Sequence, residues 1–140
     1  MGYLTPDLEE AVAWFEKSFG AINAGGGPLN KSIAMPTGGR NAYMRFGNAE
    51  AELLEPEDKT GLSSEVLTMH HVGYVVADID RAIDDLTARG FKFAGDKPFT
   101  NVMGQTLLYF DPTTTNGVLM HITQLPGEPV AANNGFEVER

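Results

Sequence analysis

Gly2-Tyr-Leu-Thr-Pro-Asp-Leu-Glu-Glu-Ala-Val12 and Gly73-Tyr-Val-Val-Ala-Asp-Ile-Asp-Arg-Ala-Ile83 are two versions of one phrase. Gly, Tyr, Asp and Ala recur at a constant offset of 71 residues, and the apolar positions match in kind, Leu8 with Ile79 and Val12 with Ile83. The offset is close to half of a 140-residue chain, so the sequence reads as two copies of one unit. His71 stands two residues ahead of the second Gly-Tyr, and the equivalent place in the first copy falls ahead of Met1.

Each copy opens with a short apolar run that reads as a strand, Gly2 to Thr5 and Val72 to Val76, and a helix follows. In the first copy Leu8, Val12, Phe15 and Phe19 recur at helical spacing. Thr5-Pro6-Asp7 reads as the helix start, with Thr5 a candidate cap, Pro6 at the first helical position and acids in the first turn, and Gly20 suits the exit. In the second copy Ile79, Ile83 and Leu86 mark the buried stripe and Gly90 closes the helix. Strands are expected at Ala42 to Phe46 and Ala49 to Leu54, joined by a turn at Gly47-Asn48. In the second copy they are expected at Phe91 to Ala94, Thr106 to Phe110 and Val118 to Thr123. The expected fold class is therefore α+β, two βαβββ modules pairing into a cupped mixed sheet. Module 1–56 and module 69–125 would be joined by a linker at 57–68, with a tail at 126–140, all within one domain.

A net charge of −9 opposes binding to nucleic acid and to anionic membrane surfaces. The chain has no cysteine, which removes disulfides, thiol nucleophiles and thiolate metal sites from consideration. Neither a signal peptide nor a bilayer-spanning run is recognisable, so the expected location is cytoplasmic.

Three side chains capable of binding a metal fall at related places: Glu52 on the last strand of the first copy, His71 at the start of the second, and His121 on its last strand. Glu52 and His121 occupy nearly corresponding positions, with a two-residue slip relative to the glycine offset. A carboxylate or imidazole among Leu, Val and Met is costly unless paired or bound to an ion. Two imidazoles and one carboxylate suit a divalent first-row metal, Zn, Co, Ni, Mn or Fe. The same residues also admit a plainer reading, a solvated acidic face running through Glu50, Glu52, Glu55 and Glu57. His70 is expected to point away from His71 if both lie in a strand. Arg40 and Arg45 read either as strand-edge cations or as partners for a substrate carboxylate or phosphate. Trp14 and the helix phenylalanines read as core or dimer contacts.

The segments Gly47-Asn48, Glu52-Leu53-Leu54-Glu55-Pro56, Met69-His70-His71-Val72, and Phe110-Asp111-Pro112 through Gly117-Val118-Leu119-Met120-His121 resemble the vicinal oxygen chelate superfamily, most closely its methylmalonyl-CoA epimerase-like members. The resemblance covers roughly residues 1 to 125 and implies a homodimer acting on a small molecule. It also implies four metal ligands, a His on the first strand and a Glu or Gln on the last strand of each module. Carried over, these give His71 and Glu52, with His121 standing where the second module's Glu would be. The first module's His would precede Met1, and the glutamate that serves these epimerases as acid and base aligns with Pro36.

Three functions compete. The first is a metal-dependent isomerase, epimerase or lyase, in which an ion held by Glu52, His71 and His121 stabilises the enolate of a carbonyl or acyl-thioester substrate. His121, if not a ligand, would then be the catalytic base, with His70 or Glu55 weaker choices. The second is a ferrous ring-cleaving oxygenase with Tyr43, Tyr74 and Tyr109 near a phenolic substrate. The third is a resistance-type protein that binds a small molecule without catalysis.

Overall fold

The computed structural model describes residues 1–23, 33–35, 37–101 and 103–127. The chain divides into two compact units, Met1–His71 and Val72–Arg140.

In the first unit, β1 (Gly2–Leu4) leads into α1 (Leu8–Phe19). Asp7, rather than Thr5, caps the helix by accepting from the Glu10 N–H, so Pro6 precedes the cap instead of opening the helix, and Gly20 closes it with a left-handed φ of 60°. Two short strands follow, β2 (Ile22–Asn23) and β3 (Ile33–Ala34). Then come the long β4 (Gly39–Phe46) and β5 (Ala49–Pro56). β2 pairs with Met44 and Arg45 of β4 while β3 pairs with Arg40 and Asn41, so the two fragments share the place of one strand. β4 and β5 are antiparallel along their whole length, β5 runs parallel to β1, and β1 is antiparallel to Thr68–His71 of β6 (Thr68–Val75).

Burial on β5 alternates. Ala51 and Leu53 meet Leu8, Ala11, Val12 and Phe15 of α1 and Ala42 and Met44 of β4 in one core. Glu52 consequently belongs to the opposite sheet face. Glu55 shares the helix-side face and is buried, its carboxylate accepting from the Leu8 N–H at 3.3 Å and pairing with Arg40 and Lys59.

The second unit uses Val72–Val75 of β6, then α2 (Ile79–Ala88), β7 (Phe99–Thr100), β8 (Thr106–Tyr109) and β9 (Met120–Gln124). β9 lies parallel to β6 and antiparallel to β8, which pairs with β7. Asp78 caps α2 as Asp7 caps α1. Gln124 accepts from the Ile79 N–H at 2.9 Å, the role Glu55 has at Leu8. Ile79, Leu108, Phe110 and Ile122 form its core.

Several strand expectations shift, and the strand expected from Val72 begins at Thr68. Phe91 to Ala94 is reduced to the bridge Phe93–Phe110, flanked by the Ala94 N–H donating to the Tyr109 carbonyl and the Asp111 N–H to the Lys92 carbonyl, and bends over residues 94–97 end the pairing there. The last strand starts at Met120 rather than Val118, since Asn116 and Gly117 turn through positive φ and Thr115 Oγ1 donates to the Val118 carbonyl. No helix of the described residues is long and apolar enough to cross a membrane.

Candidate functional site

Within the first unit, which extends to His71, Glu52 and His71 meet. His71 Nε2 lies 3.2 Å from Glu52 Oε2. Both residues register with Gly2, Glu52 through parallel β5 and His71 through antiparallel β6. The missing side chain of Gly2 is what admits the imidazole, because a Cβ built there would fall 2.1 Å from His71 Cε1. His71 is 4% exposed, so the plainer reading of a solvated surface does not apply to it.

The other carboxylate oxygen is occupied as well. Glu52 Oε1 accepts from Asn41 Nδ2 at 2.8 Å and from Tyr43 Oη at 3.0 Å. Tyr43 stands directly across from Glu52 in the β4–β5 ladder, and Asn41, two residues away on the same face, sits diagonally. Burial pushes the Glu52 carboxyl up. Hydrogen bonds from His71, Asn41 and Tyr43, with the charge of the His71 ring, outweigh it and leave the group below its usual range. Burial and the neighbouring carboxylate push Tyr43 far up, so its phenol stays protonated and remains a donor.

His70 does not face away from His71. The β1–β6 register shifts between Gly2 and Tyr3, which pair with His71 and Met69, so His70 is the extra residue of an irregular step. Such a step breaks strict alternation. It brings His70 Nδ1 to 2.9 Å from His71 Nδ1. Burial, and then the His71 ring, lower the His70 pKa, with Glu52 opposing.

The second module repeats the plan with different chemistry. His121 registers with Gly73 as Glu52 registers with Gly2, so the two are equivalent and the two-residue slip is absorbed between the strands. A Cβ on Gly73 would fall 2.5 Å from His121 Cε1. Tyr109 faces His121 across β8–β9 as Tyr43 faces Glu52, with ring centroids 5.0 Å apart. Thr123, on the same face two residues on, places Oγ1 2.6 Å from His121 Nδ1.

Among the described residues no three His, Cys, Asp or Glu side chains gather into a group that could hold a metal ion. The Glu52–His71 pair nevertheless has the right chemistry for part of one. Two donors sharing a divalent ion at bond lengths of about 2.1 Å stand roughly 3 Å apart, close to the 3.2 Å between Nε2 and Oε2.

Arg40 pairs with Glu9 and Glu55, and Arg45 with Glu50 at 3.1 Å, so both arginines have carboxylate partners within the chain itself. Glu55 likewise serves the helix end and two cations rather than standing ready as a base. Pro36 lies outside the described residues. Sequence reasoning missed Asn41, Thr123 and the two ring-admitting glycines. The glycines carried a signal, since both belong to the repeated Gly-Tyr pair, and Thr123 carried a weaker one, the i+2 spacing from His121.

A family model described as Glyoxalase/Bleomycin resistance protein/Dioxygenase superfamily matches residues 1–110. The mitochondrial methylmalonyl-CoA epimerase of Homo sapiens is 25% identical over 126 residues, covering 85% of this chain and 68% of that protein. Among solved structures, methylmalonyl-CoA epimerase from Mycobacterium tuberculosis is similar with a TM-score of 0.73 at 16% identity, covering 90% of this chain and 85% of that one. The Streptomyces coelicolor methylmalonyl-CoA epimerase in complex with 2-nitronate-propionyl-CoA gives 0.72 at 20% identity, covering 90% and 94%. These relatives are enzymes, isomerases by name, and the structures share the α+β glyoxalase-like fold. With the family model spanning most of its length, the chain belongs to the glyoxalase/bleomycin resistance protein/dioxygenase superfamily.

Proposed function

We propose that this protein is a metal-dependent isomerase of the glyoxalase–epimerase kind, moving a proton at the carbon beside the carbonyl of a small carbonyl or acyl-thioester substrate. The observation that carries the reading is the pairing of buried His71 with half-buried Glu52, with donor atoms 3.2 Å apart and the carboxylate held ionised, in a chain of this family. A bound divalent ion would supply Lewis-acid polarisation of the carbonyl, which lowers the barrier to proton removal beside it.

The chain's own residues do the rest. Glu52 Oε2 and His71 Nε2 are the proposed ligands. The Nδ1–Nδ1 bond between His70 and His71 can hold one proton. With that proton on His71 and His70 accepting it, the His71 Nε2 lone pair is free for the ion, the outer-sphere support a metal-bound histidine ordinarily receives. A lowered pKa keeps His70 neutral and able to accept. His121 takes over in the second module the register place of Glu52, so a duty as ligand or as proton-moving base is proposed for it. A homodimer in the cytoplasm is proposed on the resemblance and the composition.

The test joins metal content to proton exchange. Protein loaded with Co, Ni, Zn or Mn is desalted, its metal measured, and methylmalonyl-CoA and other acyl thioesters are incubated with it in heavy water. The expected result is metal-dependent exchange of the α-proton, lost together with the metal in Glu52→Ala and His71→Ala. A His121→Ala variant that keeps its metal but loses exchange marks a base, and one that loses both marks a ligand. No retained metal in the wild type after loading would overturn the proposal in favour of a binding protein.

A further inference from the structure

We infer that Asn41 and Tyr43 are positioning residues that restrict Glu52 to one-oxygen ligation. They occupy Oε1 with two hydrogen bonds and leave only Oε2 on the His71 side. The inference rests on the proposal that Glu52 and His71 hold a divalent ion.

A carboxylate has two equivalent oxygens and turns easily about its last torsion. Without a constraint it can chelate an ion through both oxygens or rotate away from the imidazole. Two donors converging on one oxygen remove that freedom. The Asn41 amide presents its nitrogen because only a donor satisfies a carboxylate at 2.8 Å. The Tyr43 phenol, directly opposite in the ladder, adds the second donor at 3.0 Å.

Asn41 bears a cost that a residue kept for stability alone would not. It is 8% exposed, and its Oδ1 is buried with no hydrogen-bond partner among the described residues. An unsatisfied buried acceptor is destabilising. The second module shows the alternative. Leu107 pairs with Thr123 as Asn41 pairs with Leu54, so an apolar side chain takes the place of Asn41 where the group to be held is an imidazole. There the strand's own Thr123 places Oγ1 2.6 Å from Nδ1, and the Tyr109 ring packs beside the imidazole. The polar residue accompanies the carboxylate, as expected if its work is to hold one oxygen.

The experiment uses the full chain in apo form with cobalt(II) alone as probe. Asn41→Leu installs the second module's residue, Asn41→Asp keeps the shape but replaces the donor with an acceptor, and Tyr43→Phe removes the second donor. Affinity is measured by calorimetry, coordination by the visible spectrum of bound cobalt, and stability by thermal unfolding of the apoprotein. The expected result is a roughly 10- to 100-fold loss of cobalt affinity in both Asn41 variants, as is typical for outer-sphere partners. A smaller loss is expected in Tyr43→Phe. The cobalt spectrum should change, and Asn41→Leu should melt at or above the wild-type temperature. Unchanged affinity and spectrum in all three variants would overturn the inference while leaving Glu52 a ligand. Affinity and melting temperature falling together in Asn41→Leu, with Asn41→Asp retaining cobalt as tightly as wild type, would make Asn41 structural and overturn it too. Wild-type protein that takes up no cobalt would instead overturn the underlying proposal.

Discussion

At the foot of each helix a side chain from the module's last strand accepts the same backbone N–H, yet Glu55 does so with a charge and Gln124 without one. The charged version requires company. Glu55 is drawn into pairs with Arg40 and Lys59, and Lys59 also donates to the Pro6 carbonyl. The neutral amide needs none of this. The same substitution of charge type recurs on the other sheet face, where Glu52 with two donors matches His121 with Thr123. The backbone plan is common to both modules, and what differs is how each pays the desolvation of the polar group placed on it.

The largest expected effect breaks this comparison at the helix foot. Glu55→Ala strands the Leu8 N–H and takes a partner from both Arg40 and Lys59. Because both cations keep partial access to water, the loss should lie near the lower end of the range for breaking a buried pair, about 3 kcal/mol. Gln124→Ala removes only a cap-like hydrogen bond and should cost about 1 kcal/mol. Urea unfolding of the two variants measures the ratio, and equal losses would mean that the charge of Glu55 contributes nothing beyond the cap.

A smaller effect sharpens the comparison at the ring-admitting glycines. Gly2→Ala and Gly73→Ala each drive a Cβ into a histidine ring. His71 is deeply buried and bonded on both ring nitrogens, to His70 and Glu52, whereas His121 is only partly buried. Overpacking of this kind costs about 1–3 kcal/mol, and Gly2→Ala should be the dearer of the two. Thermal melts give the order, and the chemical shifts of the ring protons of His71 and His121 show whether each ring has moved.

The smallest effect is in the pH dependence. The Glu52 carboxyl sits below its ordinary value in the folded chain. The unfolded chain therefore binds a proton more readily, and the stability contributed by Glu52 is complete above the unfolded carboxyl pKa. It drains away as pH falls through the folded one. Asn41→Leu should move this loss to higher pH, because one of the donors that hold the carboxylate ionised is gone. Chemical unfolding of wild type and Glu52→Gln between pH 6 and pH 3 should differ by a step present only where Glu52 is intact. An identical profile in Glu52→Gln would contradict the assignment.

The repeat of Gly-Tyr and Asp made the two-module plan legible, because local rules act on it residue by residue. Asp7 and Asp78 cap their helices where a short polar side chain precedes an apolar stripe. The alternation on β5 puts Leu53 inside and Glu52 on the other face. His70 shows where such rules stop. Strand alternation sends it away from His71, but one irregular step in the β1–β6 register overrides the alternation and joins the two rings. No local pattern signals that step, since it depends on how β1 meets a strand more than sixty residues away. Phe91 to Ala94 is a milder case: its backbone still pairs on either side of the Phe93–Phe110 bridge, but bends over residues 94–97 stop the pairing there.

What the amino-acid order determined by itself is the doubled unit, the helix ends, and the choice of Glu52, His71 and His121 as polar groups set in apolar strands, because periodicity and capping are properties of neighbouring residues. Only the tertiary structure decided that Glu52 meets His71, that Asn41 and Tyr43 share one of its oxygens, and that Gly2 and Gly73 make room for imidazoles. Those facts are cross-strand distances, and a cross-strand distance exists only once the register of non-adjacent segments has been set by packing.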